Sequence, residues 1–207
     1  MRKSNNSLSS MSFASTVTVD EIEALEIATF PGEITVVPSA QCEEFAAAME
    51  YLGRQETIGF DTETKPCFVP KVPRNKMAIL QLSGPDKAFI FRLQQVGVPP
   101  RLASLLGNPK ILKIGAAVHD DIRGLQEYRR FIPKGFVDLQ RLAPAYGIEE
   151  KSVRKMAAII LKKRVSKSQQ LSNWESSHLS DAQLRYAAVD AWICREMYYK
   201  LMQERSE

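Results

Sequence analysis

Asp61 and Glu63 stand one residue apart in the stretch Thr57-Ile58-Gly59-Phe60-Asp61-Thr62-Glu63-Thr64. Ile58, Phe60 and Thr62 alternate with Gly59, Asp61 and Glu63, which is the period of an extended strand. Successive side chains on a strand point to opposite faces, so the two carboxylates share one face. Two carboxylates held that close resist ionising together. A shared proton or a bound cation relieves the repulsion. The blander reading is a strand end reaching solvent with two harmless acids. Acids on facing elements decide between the two.

Two helices supply such acids. Val118, Ile122 and Leu125 form the apolar stripe of one helix, and Asp121 falls on that face while Asp120 falls outside it. A carboxylate on a core-facing side costs free energy unless it is paired or metal-bound. His119 reads as a surface histidine rather than a ligand. In the last helix Leu184, Ala187, Ala188, Ala191, Tyr198 and Leu201 make a core stripe. Tyr186, Asp190, Ile193 and Met197 run beside it. Tyr186 and Asp190, four apart, stack on one face. The alanines allow this helix close to the sheet, within reach of Asp61 and Glu63. Gly59 shares their face, where a bulkier side chain would intrude on metal or substrate.

The elements that carry these residues read as follows. A short helix spans Asp20 to Ala28 with Asp20 as N-cap, and Glu33 to Val37 is a strand. A helix runs from Ala40 to about Leu52. The Asp61 strand comes next, then a proline-bearing loop from Lys65 to Lys76 with Lys65, Lys71, Arg74 and Lys76. Met77 to Ser83 and Ala88 to Phe91 follow across the turn Gly84-Pro85-Asp86, completing an antiparallel meander. After a helix from Pro100 through Leu106 the pattern alternates: strand Lys110–Ile114, helix Ala117–Tyr128, strand Phe136–Val137, helix Asp138–Tyr146 with Asp138 as N-cap. Such alternation implies parallel strands with crossover helices. Helices Ser152–Leu161 and Asp181 to about Gln203 close the chain, the latter with Ser180 and Gln183 as a capping box. The fold class is α/β, with a mixed five- to six-stranded sheet flanked by helices.

The chain of 207 residues reads as a disordered lead-in over 1–18 and a single domain over 19–207. Its three cysteines are scattered, without disulfide or zinc spacing, and no run of about 18 apolar residues offers a membrane span. A cytoplasmic protein with no membrane partner is expected. The net charge of +4 conceals an asymmetry. Residues 1–60 hold nine acids against three bases, whereas 61–207 hold 25 bases against 15 acids. The second part suits a polyanion. Seven bases and no acid lie between Lys151 and Lys167. They line the path of a nucleic-acid strand or form a solvated helix face.

The order Asp-Xaa-Glu, Asp, Tyr-Xaa-Xaa-Xaa-Asp resembles the DEDD superfamily of 3′–5′ exonucleases, in its tyrosine-bearing (DEDDy) branch. Within it the chain is similar to the ribonuclease D and Werner-type exonuclease domains. The resemblance rests on Gly59-Phe60-Asp61-Thr62-Glu63, on Leu80-Gln81-Leu82-Ser83, on Lys113 through Asp121 with Leu125, on Ser172-Asn173-Trp174, and on Leu179 through Ala191. A histidine-bearing branch would place His where Arg185 stands. The resemblance implies a ribonuclease H-like fold and hydrolysis of the terminal phosphodiester, releasing nucleoside 5′-monophosphates by a two-metal-ion mechanism. It implies Asp61, Glu63, Asp121, Tyr186 and Asp190 as catalytic residues. The four carboxylates would hold two divalent cations, Mg²⁺ or Mn²⁺, and Tyr186 would orient the attacking water. The partner would be a nucleic acid 3′ end, of single-stranded DNA or RNA or of a recessed duplex. No protein partner is indicated. Thr62, Lys65, Arg74, Lys163, Lys167 and Trp174 are the candidate substrate contacts, with Trp174 either stacking on a base or anchoring the core. The competing readings are a catalytically silent nucleic-acid-binding module on the same fold, or the exonuclease subunit of a larger complex. Loss of a carboxylate would mark the silent module, and all five positions are intact.

Overall fold

The strand carrying Asp61 and Glu63, β2 (Thr57–Thr64), joins the two halves of a six-stranded sheet. In this computed structural model, which describes residues 13–69 and 75–205, β2 pairs antiparallel with β3 (Met77–Ser83). Its other edge pairs parallel with β5 (Leu112–Gly115). β4 (Lys87–Arg92) completes the antiparallel meander. The outermost strands, β1 (Glu33–Val37) beside β4 and β6 (Phe136–Asp138) beside β5, are both parallel to their neighbours. The order is β1-β4-β3-β2-β5-β6, the mixed sheet expected.

Alternation along β2 divides the protein into two layers. Ile58 and Phe60 face a core with Leu80, Leu82, Phe89 and Phe91. Residues of α2 (Glu43–Gly53), α4 (Pro100–Leu106) and α5 (Val118–Tyr128) complete that core. Gly59 faces the other way, toward α8 (Asp181–Glu204). This 24-residue helix contains neither Gly nor Pro. It starts in the capping box expected, Ser180 and Gln183 each accepting from the other's backbone N–H. Such a cap stabilises a helix start by about 1 kcal/mol. Behind α8 lies α7 (Val153–Leu161), in a second core with Met156, Ile160, Ile193 and Met197.

Contact between α8 and β2 is close enough to dictate a residue. A Cβ on Gly59 would stand 1.9 Å from the Ala191 carbonyl oxygen. The glycine is required by the helix backbone, not by a metal or substrate as the shared face implies. Ala187 and Ala191 meet the same demand from the helix side, both fully buried.

The structure corrects several boundaries. α1 (Val19–Glu23) begins after Thr18, not Asp20, because Thr18 and Glu21 form the capping box. It stops short of Ala28 because that segment pairs with a distant loop: Ala28 N–H donates to the Arg164 carbonyl and Arg164 N–H to the Glu26 carbonyl, both at 2.8 Å. A turn of helix, α3 (Leu93–Val96), follows β4 without a sequence signal. The helix expected over Asp138–Tyr146 is α6 (Leu139–Leu142) followed by a 3₁₀ turn, Ala143–Tyr146, which contains Pro144. Of the lead-in, residues 1–12 lie outside the described residues. Residues 13–18 are placed, with Phe13 edge-on to Tyr146 and Ser15 accepting from the Glu149 N–H at 2.9 Å. No helix among the described residues is long and apolar enough to cross a membrane.

Candidate active site

Asp61 and Glu63 project from the α8 side of β2, one pleat apart. α8 crosses that face at Gly59 with Ala191, and toward its N-terminus presents Asp190, the preceding residue, and Tyr186, about a turn beyond. Carboxylate oxygens of Asp61, Glu63 and Asp190 all lie within 4.8 Å of one another. Asp121 arrives from the other layer, at the start of α5, where Val118 and Leu125 are buried and Asp120 and His119 are exposed. Its Oδ1 accepts from Thr62 Oγ1 at 2.5 Å. Thr62, a candidate substrate contact, therefore holds Asp121 against the end of β2.

No ion pair among the described residues includes any of these four acids. Their charges fall on one another instead. Burial, with Asp190, Glu63 and Asp121 nearby, pushes the Asp61 carboxyl well above the usual carboxylate range. Burial and the same neighbours Asp190 and Asp121 raise Glu63 to about 8. Burial raises Asp190 to about 7, with the Tyr186 hydroxyl pulling it part of the way back. Asp121 rises to about 6, chiefly by burial, against the lowering effect of the Thr62 hydrogen bond. Burial and Asp190 raise the Tyr186 phenol further above its ordinary range. A phenol so reluctant to ionise is a poor general base at neutral pH.

The donors here are all oxygen, and their like charges are partly desolvated with no counter-cation among the described residues. That set fits a hard divalent cation such as Mg²⁺ or Mn²⁺. Asp61, Glu63 and Asp190 have the spacing to hold one ion; Asp121, bonded to Thr62, is not part of that trio.

The candidate substrate contacts fare unevenly. Trp174 anchors the core, the second of its two readings, and is corrected as a substrate contact: it is 0% exposed and its ring lies 5.9 Å from that of Tyr186, so it backs Tyr186 and offers no face to a base. Lys65 reaches Glu175 at 3.4 Å, tying the loop after β2 to the segment leading into α8. Arg74 lies outside the described residues. Three of the seven bases in the run are engaged by acids of the N-terminal segment: Lys163 with Glu26 at 2.5 Å, Arg164 with Glu23 at 2.9 Å, and Arg154 with Glu23 as well. Lys167 is exposed. Between this run and α8 a cavity of about 220 Å³ opens beside Tyr186 and Asp190, lined also by Phe30, Val165, Ser166 and Arg185. Sequence reasoning passed over Phe30 and Arg185 because nothing local links residue 30 to residue 185.

Comparison with known proteins came to the same place. A model of the 3′–5′ exonuclease family matches residues 36–205. Ribonuclease D of Haemophilus influenzae is 33% identical over 132 residues, which make up 62% of this chain and 33% of that protein. The crystal structure of the Aedes aegypti Nibbler EXO domain is similar with a TM-score of 0.72 at 26% identity, covering 84% of this chain and 88% of that one. Brucella melitensis NrnC with bound Mg²⁺ shares the fold, with a TM-score of 0.60 at 21% identity over 86% of this chain and 84% of that one. The chain spans 25% to 44% of the length of the first curated relatives it matches.

Proposed function

The chain belongs to the 3′–5′ exonuclease domain family, and on that premise we propose that it hydrolyses the terminal phosphodiester at the 3′ end of a nucleic acid and releases a nucleoside 5′-monophosphate. The observation that carries this reading is the convergence of Asp61, Glu63 and Asp190 within 4.8 Å, half-buried or buried, with no base paired to them among the described residues. Asp61, Glu63 and Asp190 would hold one divalent cation, and Asp121 with Asp61 a second. When bound, such ions, Mg²⁺ or Mn²⁺, acidify the attacking water and take up charge on the leaving 3′-oxygen.

The chain's own residues do the rest. β2 fixes two of the carboxylates and α8 the third, so a displacement of α8 changes their spacing. The Tyr186 hydroxyl orients the water for attack on the terminal phosphorus. The water oxygen becomes bonded to phosphorus as the P–O3′ bond breaks, and the proton it sheds ends on the 3′-oxygen. The shortened strand regains a free 3′-hydroxyl and can re-enter the cycle. Lys167 and Lys65, near the two ends of the site, supply phosphate contacts of the sequence-independent kind.

The test is degradation of a 5′-labelled oligonucleotide in Mn²⁺. A ladder shortening one nucleotide at a time from the 3′ end, abolished by Asp190→Ala or by a blocked 3′ terminus, is the expected result. Binding without cleavage would make the chain a silent module, and internal cutting of a blocked strand would make it an endonuclease.

A further inference from the structure

Gln81 lies in the wall of this site and no step above uses it. It is 0% exposed at the middle of β3, and neither its amide nitrogen nor its amide oxygen has a hydrogen-bond partner. Among the described residues it is the one side chain with two such atoms, an amide nitrogen that donates and an amide oxygen that accepts. An apolar side chain of the same length would fill the position without leaving two buried polar atoms unmatched.

The strand register shows where its partner must be. Gln81 is directly opposite Asp61 in the antiparallel ladder, so the two side chains share the α8 face with Cβ atoms roughly 4.5–5.5 Å apart. Its opposite neighbour on the other strand is Ile90, which is apolar and fully buried. Its apolar neighbours on this face, Ile79 and Ile90, pack with Ala187 and Trp174, and Tyr186 packs against the same cluster. Asp61 is the carboxylate directly opposite it in the ladder. The chemistry matches: an amide nitrogen is a donor, and a carboxylate has about four acceptor sites, more than a cation takes up.

We propose that Gln81 is a positioning residue for cation binding, its Nε2 donating to the Asp61 carboxylate and fixing the orientation in which Asp61 meets the ion. This rests on the cation reading of the cluster. A hard cation such as Mg²⁺ keeps several of its own waters, and one of these supplies the donor that Oε1 needs. Partners of this kind, one bond removed from the ion, typically contribute about 10–100-fold to metal affinity.

Calorimetric titration of the full chain with Mn²⁺, without nucleic acid, tests the assignment. Gln81→Met is expected to weaken Mn²⁺ binding about 10–100-fold while the metal-free melting temperature stays level or rises. Unchanged affinity in Gln81→Met beside normal binding by the wild type overturns the role of Gln81 alone. A wild type that binds no Mn²⁺ overturns the cation reading and this role with it. A second measurement needs no variant: on adding Mg²⁺ the Gln81 side-chain amide resonances of ¹⁵N-labelled protein should shift and exchange more slowly with solvent. Resonances unmoved at saturating Mg²⁺ contradict the proposal.

Discussion

Each face of the sheet buries charge, and the two faces treat it differently. On one, Lys113 of β5 is fully buried, and its ammonium donates to the carbonyls of Ile111 at 2.7 Å, Asn108 at 2.8 Å and Leu105 at 3.5 Å. The Phe136 ring stands 5.1 Å away. Burial lowers its pKa to about 8, yet each of its three donors has a place to go. On the other, Asp61, Glu63 and Asp190 have one another. A charge matched by its own chain is a structural device. Charges left unmatched while half-buried or buried point outward, to something the chain must bind.

The first way to break the comparison is to remove one charge from each face. Asp61→Asn should lower exonuclease turnover by about three orders of magnitude, the effect of losing several kcal/mol of cation-mediated stabilisation. The same substitution should raise the metal-free melting temperature at pH 8, since it deletes one repelled carboxylate. Lys113→Met should leave turnover within about twofold, as the residue reaches nothing in the site, and lower stability by about 1–3 kcal/mol through the carbonyls it abandons. Assays of turnover alongside denaturant melts would detect an exchange of these outcomes, which would end the distinction between the faces.

Tyr186→Phe sharpens the account within the functional face. It removes one hydroxyl and keeps the ring packed on Trp174. A fall in turnover of about 10–100-fold, the worth of one hydrogen bond to a charged or polarised group, is expected, with nucleic-acid affinity unchanged in a filter-binding assay. Equal turnover would remove the hydroxyl from the reaction.

The smallest effect separates the faces by the sign of a slope. Lys113 has a folded pKa below that of the unfolded chain, so between about pH 8 and 10.5 the unfolded state binds more protons and stability rises with pH. Comparing wild type with Lys113→Met across that window isolates the contribution. The carboxylates carry the opposite sign. Their folded pKa values are raised, so from about pH 4 to 8 the folded chain retains protons that the unfolded chain has lost, and metal-free stability falls as pH rises.

Much of this face was legible in the residues. Alternation in β2 put Asp61 and Glu63 together, and helical periodicity put Asp121 and Asp190 toward them; both patterns are local and survive without knowledge of the fold. What was lost depends on partners far apart in the chain. The bases at Arg154, Lys163 and Arg164 stayed open between a nucleic-acid path and a solvated face because Glu23 and Glu26, more than 130 positions away, leave no mark near them. Trp174 stayed open between a stacking platform and a core anchor, since neither its burial nor its contact with Tyr186 has a sequence signal. Lys113 passed as one more base in a strand, because the carbonyls that receive it belong to a helix end and a turn. The structural role of Gly59 required the path of α8, and Gln81 required the register of β3 on β2.

The unmatched charge on the α8 face is tested most directly by melting the full chain from pH 5 to pH 8, in chelator and in saturating Mg²⁺. In chelator the melting temperature should fall as pH rises. The increment added by Mg²⁺ should grow over the same interval, because binding to the folded state alone stabilises it and the ligands must be ionised to bind. In Asp61→Asn both trends should shrink. A metal-free melting temperature that rises through this window, or a Mg²⁺ increment that is constant with pH and intact in Asp61→Asn, would contradict the account.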